Sequence, residues 1–257
     1  MIESAPLLLV VLVMFVVMVA AYEGGLRLHH AIRPFADGKR GDSGDESHAM
    51  SGVFGLLALL LAFAFGLALN RYEERRNLVT SEASAVATFA SRMELLPPAD
   101  REALRPLLVG YARARLAASL DAEGDLSGQA QGVDRLHGQL EARLYAVLAA
   151  LPADARTTLL VQSFDNLGDV ATERQAARAA RLPDTVVDLL ALYCAIGALT
   201  LGYAVAATNS RHRTTATIFF ALLAFAFATV LDLDRPRGGL ITVPQDVLAR
   251  TVARLEQ

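Results

Sequence analysis

Three arginines follow directly after a long apolar stretch, in the segment RYEERRNLVTSEASAV, and their charge is suited to attracting anions. They are Arg71, Arg75 and Arg76. Guanidinium groups at the end of a membrane helix commonly anchor that helix at the headgroup layer. A ring of the same groups at a pore mouth concentrates anions instead. The segment therefore predicts either an interfacial collar or a pore-mouth charge.

A second charged motif, LDLDRPRGG, ends the last apolar stretch of the chain and brings Asp232, Asp234 and Arg235 together. Its composition favours a local charge pair at the membrane interface, followed by a Pro/Gly turn. A cation site with oxygen ligands would need more ligands than two carboxylates provide. We expect an interfacial pair here and no metal.

The sequence lacks the signatures of catalysis. Phosphate-loop, Ser–His–Asp and paired-carboxylate patterns are absent, and Cys194 is the single cysteine. The histidines lie far apart or on different sides of a helix, at positions 29, 30, 48, 137 and 212. A net charge of −3 provides no basic field for nucleic acid. We predict that the protein is not an enzyme and has no cofactor, metal or nucleic-acid partner.

Four nearly uncharged stretches of 18 to 23 residues must position these motifs, at 5–22, 51–69, 185–207 and 214–231. A helix needs about 20 apolar residues to cross a bilayer, so each stretch predicts a membrane helix. The first could be a signal peptide, but it has no basic n-region and its apolar run is long, which favours an uncleaved helix. The lipid bilayer is therefore an expected partner.

The fold class that follows is an all-α integral membrane protein with four transmembrane helices and a helical extramembrane domain between the second and third. No Gly or Pro occurs from Leu67 to Leu96, so we expect the second membrane helix to continue into the domain without a break. The predicted divisions are transmembrane helices at 1–22, 51–70, 184–208 and 214–233, a polar loop at 23–50, the helical domain at 71–183, a short loop at 209–213 and a C-terminal segment at 234–257.

The second membrane helix has two distinct faces. Small residues form the first face, suited to close helix packing, at Gly55, Ala58, Ala62 and Gly66. Bulky residues form the second, at Leu57, Leu61 and Phe65. The bulky stripe is interpreted either as a lipid-facing surface or as a hydrophobic constriction that gates by dewetting.

Three segments, taken in order, resemble the bacterial bestrophin-like family across 51–243. They are GLLALLLAFAFGLALNRYEERRNLVTSEASAVATFASRMELLP, SFDNLGDVATERQAARAARLP and LDLDRPRGGLITV. Typical members carry Asn in place of Ser81 or Ser84, which is a modest departure. Asp232 and Asp234 alone do not match the long acidic calcium clasp of animal bestrophins, so calcium gating is not expected.

The resemblance implies a homo-oligomeric ion channel, with five subunits favoured, that conducts inorganic anions across the bacterial inner membrane. It implies a neck at Leu57, Leu61 and Phe65. It also implies that the 71–183 domain and both termini are cytoplasmic, which the distribution of basic residues does not decide. The alternative is a non-conducting membrane scaffold or envelope-stress protein whose helical domain binds a protein partner.

Overall fold

Every regular element in the described part of the chain is an α-helix. The computed structural model describes residues 6–32, 43–120, 126–208, 213–236 and 239–257. The helices are α1 Leu7–Ile32, α2 Ser43–Met93, α3 Pro98–Leu120, α4 Leu126–Leu148, α5 Ala155–Ala179, α6 Asp184–Thr208, α7 Arg213–Asp234 and α8 Asp246–Leu255.

Among the residues that the structure describes, four helical stretches are long and apolar enough to cross a membrane. They lie within Leu7–Ile32, Met50–Met93, Ala155–Ala206 and Arg213–Asp234, and the apolar part of the third is α6. Between α2 and the apolar helix α6, the helices α3, α4 and α5 are amphipathic and have polar surfaces. The predicted fold class is confirmed.

One compact unit contains residues 1–70, 181–235 and 239–241, and in it α1 packs closely against α6. A Cβ atom added at Gly25 would lie 2.0 Å from the backbone oxygen of Leu199, and one added at Gly202 would lie 2.0 Å from that of Tyr22. Glycine is required at both positions because the two backbones nearly touch.

The loop predicted over 23–50 is wrong at both of its ends. The first helix continues through Gly24 and Gly25 to Ile32, and the second begins at Ser43. Gly24 and Gly25 are helical, and Gly25 allows the close contact with α6. The middle of the predicted loop, 33–42, lies outside the described residues, as does most of the predicted 209–213 loop.

The second helix is continuous over 51 residues, which corresponds to about 75 Å at 1.5 Å per residue. The predicted continuation beyond the membrane segment is therefore confirmed. The helix ends just before Pro97 and Pro98, where two consecutive prolines cannot continue the hydrogen-bond pattern.

A second compact unit contains residues 71–180, 236–238 and 242–257. Its core joins apolar side chains from the second half of α2 and from α3, α4, α5 and α8, among them Phe89, Leu104, Leu108, Leu140, Leu144, Leu160, Phe164, Leu167 and Val252. The helix α8 had no counterpart among the predicted helices. It contributes Leu248 and Val252 to the interior, one helical turn apart.

Candidate functional site

The membrane part of α2 packs against its own unit along one narrow face. Leu57, Ala64 and Ala68 are buried, and their spacing of seven and four residues places them on one side of the helix. A Cβ atom added at Gly197 of α6 would lie 3.5 Å from Leu57 Cδ2, which locates this contact. The remaining faces of the segment are more open.

The three residues of the predicted neck differ in how much of each side chain is exposed. Leu57 is only 2% exposed because it packs against α6, whereas Leu61 is half-buried and Phe65 is 40% exposed. Within the protomer, the side chain of Leu57 is thus occupied by a contact with α6, and the predicted pore-lining stripe stays a prediction. The most exposed bulky side chains of the segment are Leu59, at 68%, and Phe63, at 64%.

The small-residue face of α2 is uncovered within the protomer. Gly55, Ala58 and Ala62 are exposed and Gly66 is half-buried. A Cβ atom added at Gly55 or Gly66 would meet no atom within 4 Å among the described residues beyond the helix's own backbone. This face is therefore accessible to lipid or to another protein chain.

The three arginines after the membrane segment occupy different environments. Arg75 is buried, and its guanidinium group donates to the carbonyl oxygens of Ala177 and Ala180, both at 3.2 Å. It therefore caps the end of α5, where carbonyl groups lack helical partners. Arg71 is half-buried and Arg76 is exposed. Of the three, Arg75 is engaged inside the helical unit, and the predicted pore-mouth charge stays a prediction.

A buried ionic cluster in the helical unit was not identified from the sequence. Glu82 of α2 is fully buried, and its carboxylate pairs with the guanidinium groups of Arg115 from α3 and Arg174 from α5. Burial lowers the pKa of Arg115 from its ordinary value, but a guanidinium group remains protonated in proteins. The single carboxylate of Glu82 therefore forms ion pairs with two buried guanidinium groups.

A hydroxyl group extends this cluster toward α8. The Ser119 oxygen accepts hydrogen bonds from Arg174 at 2.8 Å and from Arg178 at 2.6 Å, and its hydroxyl donates to the Arg115 carbonyl oxygen at 2.7 Å. Arg174 also donates to Gln245 Oε1 at 2.6 Å. Two guanidinium groups thus donate to the same Ser119 oxygen atom.

The sequence contained a signal for this cluster. Glu82 shares a helix face with the buried residues Val79, Val86 and Phe89. Arg115 and Arg174 likewise fall on the apolar faces of α3 and α5. Charged residues are rarely buried without a partner, so charges on three apolar faces indicate mutual pairing.

The LDLDR motif holds backbone segments in place. The Asp232 carboxylate accepts hydrogen bonds from the amides of Leu240 and Ile241, at 3.0 and 2.9 Å. The Asp234 carboxylate accepts from the amide of Leu182, at 2.9 and 3.0 Å. Arg235 directly follows the end of α7. Within the described ranges, no three His, Cys, Asp or Glu side chains lie close enough to hold a metal ion.

A family model for the bestrophin-like domain matches residues 19–248, which include the membrane helices α2, α6 and α7, the buried cluster and the LDLDR motif. The chain belongs to the bestrophin-like family. The match to the family confirms the resemblance seen in the sequence. A comparison with curated proteins finds no match to this bestrophin-like sequence.

Solved structures of a bacterial bestrophin homologue from Klebsiella pneumoniae have a similar fold. One single-substitution variant has a TM-score of 0.73 at 14% identity, covering 98% of this chain and 97% of that chain. The structure phased on zinc has a TM-score of 0.70 at 15% identity, covering 97% of each chain. Another variant has a TM-score of 0.68 at 15% identity, covering 98% and 99%. At these identities the similarity shows the fold.

Proposed function

We propose that this bestrophin-like protein is a homo-oligomeric, anion-selective channel, with five subunits, in which the membrane part of α2 borders the ion path. The observation that carries the proposal is the uncovered side of α2, where small and bulky apolar residues are exposed together. Small residues allow close approach of a neighbouring helix, and bulky apolar residues narrow a path. Family membership supports the same assignment.

The side chains that narrow the path are chosen by their position around the helix. At 3.6 residues per turn, Leu59 lies about 160° and Phe63 about 120° from the packed residue Leu57, whereas Phe65 lies only about 80° from it. We therefore assign the constriction to Leu59 and Phe63. Phe65, the exposed member of the predicted stripe, is the competing assignment. Phe63 and Phe65 are about 160° apart, so a single path cannot be narrowed equally by both.

Anion selectivity is assigned to the basic residues just beyond the apolar segment. Arg71 and Arg76 lie there, although the exposed residues Glu73 and Glu74 reduce the local positive charge.

We place the helical unit and both termini in the cytoplasm of the bacterial cell, with the helices in the inner membrane. A topology reporter fused after Gln257 checks this orientation, since activity restricted to the periplasm contradicts it.

The decisive experiment measures ion flux in liposomes that contain purified protein. Chloride efflux is compared with potassium efflux for the wild type and for the variants Phe63→Ala, Phe65→Ala and Leu57→Ala. We expect Phe63→Ala to increase chloride flux, because a smaller side chain relieves the desolvation barrier of an apolar ring. Leu57→Ala is the matched control, and it should lower stability without increasing flux per folded oligomer.

Particle symmetry measured by electron microscopy in nanodiscs accompanies the flux assay. A larger effect of Phe65→Ala than of Phe63→Ala would move the constriction to the predicted stripe. If neither the wild type nor the variants conduct, or if the particles are monomers, the channel proposal fails and the scaffold function replaces it.

A further inference from the structure

An exposed apolar loop follows the last membrane helix, in the segment GGLITV. Leu240 is 80% exposed and Ile241 is 36% exposed, and no residue of the segment is charged. An exposed leucine needs no explanation by itself, because much of any protein surface is apolar. Here, however, the backbone of the loop is fixed to a membrane helix while both side chains stay exposed.

The carboxylate of Asp232 fixes this backbone. Asp232 lies in the last turn of α7 and is 1% exposed, and it accepts hydrogen bonds from the amides of Leu240 at 3.0 Å and Ile241 at 2.9 Å. A Cβ atom added at Gly239 would lie 2.5 Å from Asp232 Oδ1, so glycine is required for this close approach. Because the loop is already held at the end of α7, a contact made by its side chains costs little further ordering.

The point of attachment lies at the end of a membrane-spanning segment. The apolar stretch of α7 ends at Leu231, directly before Asp232. One residue adds 1.5 Å along a helix and an acidic side chain with its hydrogen bond adds several ångströms, so the two bonded amides lie within roughly 10 Å of this boundary. Residues 239–241 accordingly belong to the membrane unit, whereas 242–257 belong to the helical unit.

The hydrogen bonds of the loop are suited to a lipid environment. A backbone amide without a partner is costly near hydrocarbon, so irregular backbone is tolerated there only where its polar groups are satisfied. The amides of Leu240 and Ile241 have such a partner in Asp232. Apolar side chains at a bilayer surface bury about 5–10 Å into the boundary between headgroups and acyl chains, a depth that matches the position of this loop.

We propose that Leu240 and Ile241 form a lipid anchor, in which their side chains insert among the acyl chains next to the headgroups and Asp232 holds their backbone. The anchor depends on the membrane helix α7 and requires no ion conduction, so it stands whether or not the protein is a channel. It places the start of the segment that leads to α8 at the bilayer surface, because that segment directly follows Ile241.

Tryptophan fluorescence tests the anchor, because the chain contains no tryptophan. The full-length Leu240→Trp variant is reconstituted in phosphatidylcholine liposomes whose lipids are brominated either next to the headgroup or near the end of the acyl chain. We expect its fluorescence to be quenched more by bromine next to the headgroup than by the deeper bromine, and only weakly by acrylamide in the water.

Two exposed positions provide matched controls. Phe225 is 61% exposed in the membrane part of α7, so Phe225→Trp should be quenched more by the deeper bromine. Tyr145 is 48% exposed on α4 of the helical unit, so Tyr145→Trp should be quenched by acrylamide and not by brominated lipid.

The role of Asp232 is tested in the Leu240→Trp background. Adding Asp232→Ala releases both amides, and the variant should lose more than half of its quenching by brominated lipid. If Asp232→Ala does not fold, Gly239→Ala displaces the same carboxylate and should have the same effect. Unchanged quenching in these variants contradicts the role of Asp232.

The insertion itself is overturned by either of two results for Leu240→Trp. Quenching by acrylamide without quenching by brominated lipid places the loop in water. Protection from both quenchers places it against protein, as in a contact with a second copy of the chain.

Discussion

Replacing Glu82 by Gln removes the negative charge from the centre of the helical unit. The side chain is fully buried, and its two partners Arg115 and Arg174 are nearly so. Glutamine has almost the same shape but cannot balance a guanidinium charge. The variant therefore leaves two buried cations without their carboxylate while changing the packing little.

The expected loss of stability follows from this burial. Removing one partner of a buried ion pair typically costs about 3–5 kcal/mol, whereas an exposed pair contributes about 0–1 kcal/mol. Glu94 provides the comparison, because it follows the end of the same helix and pairs with Arg101 at the surface. We expect Glu82→Gln to lower the free energy of unfolding by about 3 kcal/mol and Glu94→Gln by less than about 1 kcal/mol.

Thermal unfolding in detergent, followed by far-ultraviolet circular dichroism, measures both variants. At roughly 2–4 °C per kcal/mol for a chain of this size, Glu82→Gln should lower the midpoint by about 6–12 °C. A double-mutant cycle of Glu82→Gln with Arg115→Gln should give a coupling energy of about 0.5–3 kcal/mol. Equal midpoint shifts for Glu82→Gln and Glu94→Gln, or a coupling energy near zero, would refute the reasoning.

Two further predictions concern local features of the fold. Gly25→Ala should destabilise the membrane unit by at least about 1–3 kcal/mol in the same unfolding assay, because its Cβ would lie 2.0 Å from a backbone oxygen of α6. Gly24→Ala, which has no neighbour within 4 Å, should not. Asp154 caps α5 by accepting from the amides of Thr157 and Arg156. The hydrogen bonds from the Thr157 amide and from the Arg156 side chain hold the pKa of its carboxyl below the usual value. Asp154→Ala should therefore lower the unfolding midpoint at neutral pH, and the difference from wild type should disappear as the pH falls through the folded pKa of Asp154; a difference that persists in acid contradicts the capping role.

The membrane helices and the continuous α2 were predictable because each depends on a property of one segment alone. An uncharged stretch of about 20 residues satisfies its backbone in lipid only as a helix. A stretch without Gly or Pro has no local reason to break, and α2 accordingly continues to Met93. By contrast, Gly24 and Gly25 have the composition of a loop, and only the neighbouring helix α6 explains why glycine is needed at Gly25.

The candidate sites were less predictable because they depend on which faces meet. Periodicity groups Leu57, Leu61 and Phe65 on one stripe, but it does not say that α6 covers Leu57. Arg75 follows the membrane segment in sequence, yet its hydrogen bonds are to the end of α5, about 100 residues later. No pattern in the sequence around Arg75 or around the end of α5 indicates this particular contact.

The uncovered side of α2 has physical properties that favour contact with another copy of the chain. Apolar side chains gain little by leaving lipid, so association of helices within a bilayer depends mainly on close packing. Gly55, Ala58 and Ala62 offer that packing and are exposed in the protomer. A neighbouring chain seated on them would lie beside Leu59 and Phe63, which face away from the contact with α6. The surface suited to join subunits thus belongs to the same helix as the residues suited to narrow an ion path. For this reason, the oligomeric state and the ion flux of the Phe63 variant are two independent tests of the channel proposal.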